Sequence, residues 1–215
     1  MYFLINEKHK IVFGWSAKAG CSHVKNMFRF YSDIKPPKDP HADSYNEFPS
    51  NGSKYTTIIF TRNPHARLVS GFLEKYCSEK YKSNININSL TFRKFVNELY
   101  NNGFDWIDEH HFTPQFKEEY NNNIHINHIF DITNIDYNTL DKLFKKTLPE
   151  EFKNNHGTHK TNYNDTISFA GDTPAKKVLL QSPNYKCFYD YDIYEKTNEI
   201  YKDDINILQN YLLLP

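Results

Sequence analysis

The chain has 215 residues, and its 26 Lys+Arg are cancelled by 26 Asp+Glu, so the formal net charge is zero. Neutrality excludes adhesion to nucleic acid or to an anionic membrane by bulk charge; any anion must be held by a local arrangement. The length suits a single domain over 1–215, with room for an appended lobe. Composition excludes more. No apolar run reaches the ~18 residues of a membrane span. The N-terminus, Met1 to Gly14, lacks the organisation of a signal peptide, so a cytoplasmic protein is expected. The three Cys (Cys21, Cys77, Cys187) are odd in number and widely spaced, which fits neither a disulfide framework nor a CxxC metal site. The His residues fall as the adjacent pair His110-His111, as His125 and His128, and as His156 and His159, without an HExxH pattern. No metal is expected.

Along the chain, residues 10–14 (KIVFG) predict a first strand. Trp15 to Ser22 is small and turn-like, and a helix follows with Val24, Met27, Phe28 and Tyr31 on one face. Residues 35–54 carry Pro36, Pro37, Pro40, Pro49 and Gly52 and form an irregular connection, long enough to be a functional loop. Tyr55 to Thr61 is a second strand. Pro64 then suits the first turn of a helix with Leu68, Val69, Phe72 and Tyr76 inward. A helix over 90–101 buries Phe92, Phe95, Val96 and Leu99, 124–132 alternates as a third strand, and Tyr137 to Lys146 is a short helix stopped by Pro149. Residues 150–176 are a polar loop, and Asp190 to Leu208 reads as one terminal helix. Strands separated by helices predict an α/β fold with a mainly parallel sheet covered on both faces. Ligands of such sheets bind at the carboxyl ends of the strands.

Two of those ends carry chemistry. The first is Gly14-Trp-Ser-Ala-Lys18-Ala-Gly20-Cys-Ser22-His23. Small residues let the backbone approach a ligand, successive N–H groups at a helix start make an anion cradle, Lys18 adds charge and Ser22 a hydroxyl. The loop is not GxxxxGK[ST], since the Lys precedes the Gly, and an ATP/Mg²⁺ site loses support. An ordinary tight turn with a solvated Lys18 is the structural alternative. The second is Thr61-Arg62-Asn63-Pro64-His65-Ala66-Arg67-Leu68-Val69-Ser70. Arg62 and Ser70 could pinch one phosphate from two sides, or Arg62 could serve a cap or a surface ion pair. Arg67, in mid-helix, reads as scaffold.

Strand–KAGCSHVK–helix followed by strand–FTRNPHARLVSGFLEKY–helix resembles the PAPS-dependent sulfotransferases of the carbohydrate type, sulfotransferase family 2, whose loops are similar to PKAGCTTWK and VRDPFERLVSAYRDKF. His111-Phe-Thr-Pro-Gln115 resembles that family's HWxPQ element, His128 to Asp136 its YDFVGKFE stretch, and Ile200 to Tyr211 its terminal YxxDfxxfgY. The similarities keep the family's order from residue 11 to 211.

The resemblance implies a P-loop-like three-layer sandwich. It implies 3′-phosphoadenosine 5′-phosphosulfate (PAPS) as sulfuryl donor, with 3′-phosphoadenosine 5′-phosphate (PAP) as product, and a hydroxyl-bearing acceptor, a glycan by family type. Lys18, Ala19, Gly20, Cys21, Ser22 and His23 match the loop that binds the 5′-phosphosulfate, and Arg62 and Ser70 the motif that binds the 3′-phosphate. Lys18 would also stabilise the transferred charge, and His111, or failing it His110, would take the acceptor proton. Departures from the pattern are His23 after Ser22, Phe112 in place of Trp, and Asn121-Asn122-Asn123 where secreted relatives carry Cys. With no membrane anchor, these fit a soluble, minimal version from a bacterium or a virus. Loops 35–54 and 150–176, with Tyr45, Phe48, Tyr163 and Phe169, would shape the acceptor site. A P-loop nucleotide-dependent kinase and a non-catalytic glycan- or nucleotide-binding relative are the competing readings.

Overall fold

Strand pairing starts earlier than the KIVFG run predicts. In the computed structural model, which describes residues 1–35, 47–77, 89–116, 124–153, 168–178 and 183–212, β1 (Tyr2–Asn6) and β2 (Ile11–Trp15) form an antiparallel hairpin, Tyr2 opposite Trp15 and Asn6 opposite Ile11. Asn6 closes the turn by accepting the His9 N–H at 2.9 Å, and Lys10 takes the left-handed φ of 53° that so tight a reversal needs. β3 (Thr56–Thr61) adds in parallel to β2, and β4 (His128–Asp131) in parallel to β3, giving the order β1-β2-β3-β4. The predicted strand at 124–132 is thus shorter. Residues 124–127 run up to it outside the ladder, with Asn127 donating its N–H to the Thr57 carbonyl and accepting the Thr57 N–H on Oδ1.

The chain divides into two compact units: Met1–Arg62, Gln115–Lys160 and Ile207–Pro215 make the first, Asn63–Pro114 and Thr161–Asn206 the second. The sheet lies in the first. All five residues of β2 are buried, as expected of a strand covered on both faces. Successive residues point to opposite sides. Phe13, Ile58 and Phe60 join one core with Val24, Met27, Phe28 and Tyr31 of α1 (Cys21–Tyr31), while Val12 and Ile59 join another with Phe3, Phe116 and Leu208. Truncating one such Phe to Ala costs about 3–5 kcal/mol. α5 (Tyr137–Phe144) covers the α1 side. Asp136 caps its start, Phe144 stacks on Tyr31 at 4.6 Å, and Lys145 turns left-handed at φ 51°, so the helix ends at Phe144, two residues before the predicted end.

The second unit is helical. α2 (Pro64–Phe72) opens with Pro64 in its first turn and with Asn63 Oδ1 accepting the Ala66 N–H, and it continues as a π-helical turn, Leu73–Cys77. α3 (Phe92–Asn102) is capped by Thr91, and α4 (Glu109–Phe112) is a single turn. Phe72, Phe92, Phe95, Phe112 and Phe188 form an aromatic core against which Leu68, Val69 and Tyr76 of the second motif pack. Beyond α6 (Ala175–Val178), the terminal helix predicted over 190–208 is two helices, α7 (Tyr191–Ile200) and α8 (Lys202–Leu212). They break at Tyr201, which is fully buried and donates its hydroxyl to the Phe112 carbonyl at 2.6 Å.

Candidate functional site

The loop that joins β2 to α1 is shaped by two left-handed residues, Lys18 at φ 64° and Gly20 at φ 66°. Between them the Ala19 N–H returns to the Ser16 carbonyl at 3.2 Å. Gly20 is needed twice over, for its φ and for space: a Cβ there would stand 2.3 Å from Cγ1 of Ile132. Lys18 has no such exemption, and a lysine in this conformation stores roughly 1 kcal/mol or more. α1 then begins at Cys21 with Gly20 as its cap residue, no side-chain cap and no acidic residue in its first turn. The first N–H groups of any helix lack intrahelical partners, so the backbone of Cys21 and Ser22 makes a donor cluster at the positive end of the helix dipole. The Ser16 hydroxyl is buried beside this turn with no hydrogen-bond partner among the described residues.

Side chains divide the labour. Ala19 is fully buried, Ser22 is exposed, and Lys18 and Cys21 lie between. His23 turns inward instead, with Nε2 3.0 Å from the Tyr137 hydroxyl and its ring edge-on to that of Tyr137. It therefore holds α1 against α5.

Arg62, one residue beyond β3, belongs to the same unit and reaches the loop: its guanidinium donates to the Lys18 carbonyl at 3.1 Å. The Arg62 main chain is itself gripped. Gln115 Oε1 accepts the Arg62 N–H at 3.0 Å and Gln115 Nε2 donates to the Arg62 carbonyl at 2.9 Å, from a side chain that is fully buried. Ser70, expected to share a phosphate with Arg62, lies in the second unit, half-buried on α2. Arg67 is buried and donates to the Thr113 carbonyl at 2.8 Å, the scaffold role that its mid-helix position predicts.

His110 and His111 form the single turn of α4, their rings 4.7 Å apart and edge-on. Asp108, immediately before the turn, stands 2.9 Å from His111 Nδ1 and 3.2 Å from Lys75 Nζ. Burial alone would raise its carboxyl, but the hydrogen bond to His111 and the nearby Lys75 outweigh that and hold it below the usual range. An ionised carboxylate only accepts hydrogen bonds, so the proton of a neutral His111 sits on Nδ1 and the lone pair is left on Nε2. Burial lowers the His111 imidazole below its ordinary value against the pull of Asp108, and burial together with the charge of His111 pushes His110 down to about 4. Both rings are neutral near pH 7. The dyad of an oriented imidazole and a carboxylate is what a general base needs. Sequence reasoning found the histidines but missed Asp108. The Asp-x-x-His spacing across a helix start was the available signal.

Among the described residues, no group of three or more His, Cys, Asp or Glu could hold a metal ion, and no helix is long and apolar enough to cross a membrane. Of the aromatic residues expected to line an acceptor site, Phe48 packs edge-on to Phe3, and Phe169 lies under the Arg93 guanidinium. Tyr45, Tyr163 and the Asn121–Asn123 stretch lie outside the described residues.

A family model described as Sulfotransferase family matches residues 1–211. No match was found among curated proteins or among solved structures.

Proposed function

Because the chain belongs to the sulfotransferase family, matched over residues 1–211, we propose that it moves a sulfuryl group from PAPS to a hydroxyl of a carbohydrate acceptor. The observation that carries this reading is the donor cluster at the start of α1, built on left-handed Lys18 and Gly20 and free of acidic residues in its first turn. Such a cradle suits a tetrahedral oxyanion and needs no metal to neutralise it. In the reaction the acceptor oxygen forms a bond to sulfur, the bond between sulfur and the 5′-phosphate oxygen breaks, and PAP leaves. Lys18 and the N–H groups of Gly20 to Ser22 stabilise the charge on the sulfuryl oxygens and the leaving oxygen. His111 takes the acceptor proton on Nε2 while Asp108 steadies the imidazolium that forms. Arg62 and Ser70 are assigned to the 3′-phosphate, Arg62 being already drawn to the Lys18 carbonyl.

The test is a transfer assay with radiolabelled PAPS against a panel of glycans and small alcohols, beside a thermal-shift comparison of PAP with ATP/Mg²⁺. Transfer by the wild type, its loss in Lys18→Ala and Arg62→Ala, and a melting temperature raised by PAP rather than by ATP/Mg²⁺ are expected. A chain stabilised by ATP/Mg²⁺ and indifferent to PAP is a nucleotide kinase or a relative of one, and the reading fails.

A further inference from the structure

The side chain that grips the main chain of Arg62 is not one of those assigned to a ligand. Gln115 is fully buried; its Oε1 accepts the Arg62 N–H and its Nε2 donates to the Arg62 C=O. A neighbouring strand would satisfy a residue in the same way, but Arg62 lies one position past the last β3–β4 pair, Thr61 with Asp131. The amide of Gln115 thus extends the ladder by one residue where the sheet has run out of strand. Its grip sets where the Arg62 side chain starts. The guanidinium then ends on the carbonyl of Lys18, the residue held in the left-handed region at φ 64°. A guanidinium carries five N–H donors, and the Lys18 carbonyl takes one of them. We infer that Gln115 is a positioning residue for the anion cradle, acting through Arg62 to hold the Lys18 carbonyl and so the conformation of the 16–20 loop. The ligand side of this inference rests on the proposed reading of the cradle as the PAPS site; the mechanical side rests on the three hydrogen bonds.

A buried amide could equally serve stability alone, and the two roles give different results. In the full chain, Gln115→Met keeps the length and loses both hydrogen bonds. Gln115→Glu, the second variant should the first fold poorly, keeps an acceptor for the Arg62 N–H and loses the donor to its carbonyl. Amide hydrogen exchange should quicken across residues 16–20 in both variants and in Arg62→Ala, while α3 (Phe92–Asn102) keeps its wild-type protection. Calorimetric titration with PAP should show Kd raised about tenfold by Gln115→Met. The double variant Arg62→Ala/Gln115→Met should bind no more weakly than Arg62→Ala, because one residue acts through the other. Exchange at 16–20 that stays at the wild-type rate in the folded variants overturns the inference, as do losses that multiply in the double variant. If the wild type ignores PAP while Gln115→Met still opens the loop, the nucleotide reading fails and the positioning role stands, with inorganic sulfate and pyrophosphate as the replacement probes for Kd.

Discussion

The two compact units solve opposite problems. In the first, the chemistry is made of backbone. Lys18 and Gly20 are twisted into the left-handed region, a helix start is left without a side-chain cap, and Gln115 and Arg62 brace the loop by hydrogen bonds to main-chain atoms. In the second, the proposed chemistry is made of side chains that titrate, the Asp108–His111 pair beside Lys75 at the single turn of α4. A cradle of amide N–H groups keeps its donors at any ordinary pH, whereas an imidazole changes its charge within the physiological range and depends on its neighbours to decide where. The contrast teaches where sensitivity to shape and sensitivity to pH should appear when residues are changed.

The largest effect should come from the second unit's base. His111→Asn should lower the transfer rate by roughly 10²–10⁴-fold while PAP binding, proposed for the first unit, stays within about threefold. Steady-state rates beside a PAP titration check this. Near-normal turnover in the variant would remove His111 from the mechanism.

Next comes shape. Gly20→Ala must place a Cβ at φ 66° and 2.3 Å from Ile132, and strain and overpacking together should cost about 2–4 kcal/mol. Urea unfolding should show it as a lowered midpoint, accompanied by loss of PAP binding. A midpoint shift below about 0.5 kcal/mol would mean that the cradle is more pliant than its geometry implies.

The third effect concerns pH and stability. His65, at the start of α2, is buried, with its ring stacked on Tyr194 at 4.5 Å and edge-on to Tyr189, and burial pushes its imidazole down to about 4. Below the unfolded-state value near 6.5, the unfolded chain binds the proton that the folded chain refuses. Stability is therefore full above about pH 6.5 and is lost as pH falls through about 4, by up to about 3 kcal/mol. His65→Phe keeps an aromatic ring in the stack and should flatten this acid loss in melting curves taken from pH 7 to pH 4. An unchanged slope would assign the loss to other groups.

The smallest effect sharpens the dyad. Asp108→Asn should slow transfer by about tenfold to a hundredfold, a fraction of the full worth of a base. With His111 as the proposed base, activity needs it neutral, so the rate should fall as pH drops through its value; removing the carboxylate removes a partner of the charged form and moves that acid limb to lower pH. A rate–pH profile reads both, and a limb that stays in place would show that Asp108 only packs.

Much of the chain around the two motifs was legible because local signals and tertiary structure agree there. The IVF run, the small residues after it, and Pro64 behind Asn63 mark β2, the cradle and the start of α2 within a residue or so. β1 was missed because Tyr2 to Ile5 is too short an apolar run to register, and its stability comes from its partner rather than from itself. The break at Tyr201 was invisible for the opposite reason. The inward positions Ile193, Ile200, Ile205 and Leu208 carry an apolar rhythm through it, and its cause, a hydroxyl reaching Phe112, is 89 residues away. Gln115 stood in a motif that could be read, but its work is done on the backbone of Arg62, 53 residues distant, and no pattern along the chain reports such a contact. His23 shows the converse: adjacent to the cradle in sequence, it spends its ring on Tyr137.

The β1–β2 hairpin also bears on the order in which the sheet assembles. Joining β2 to β3 closes a loop of about 45 residues, with an entropic toll that grows as the logarithm of that length. β1 meets β2 across a turn of only a few residues, a closure that takes microseconds. The strand that leads into the cradle can thus be pinned at one edge before any distant segment arrives, and β3 and β4 then add to a template instead of searching for one.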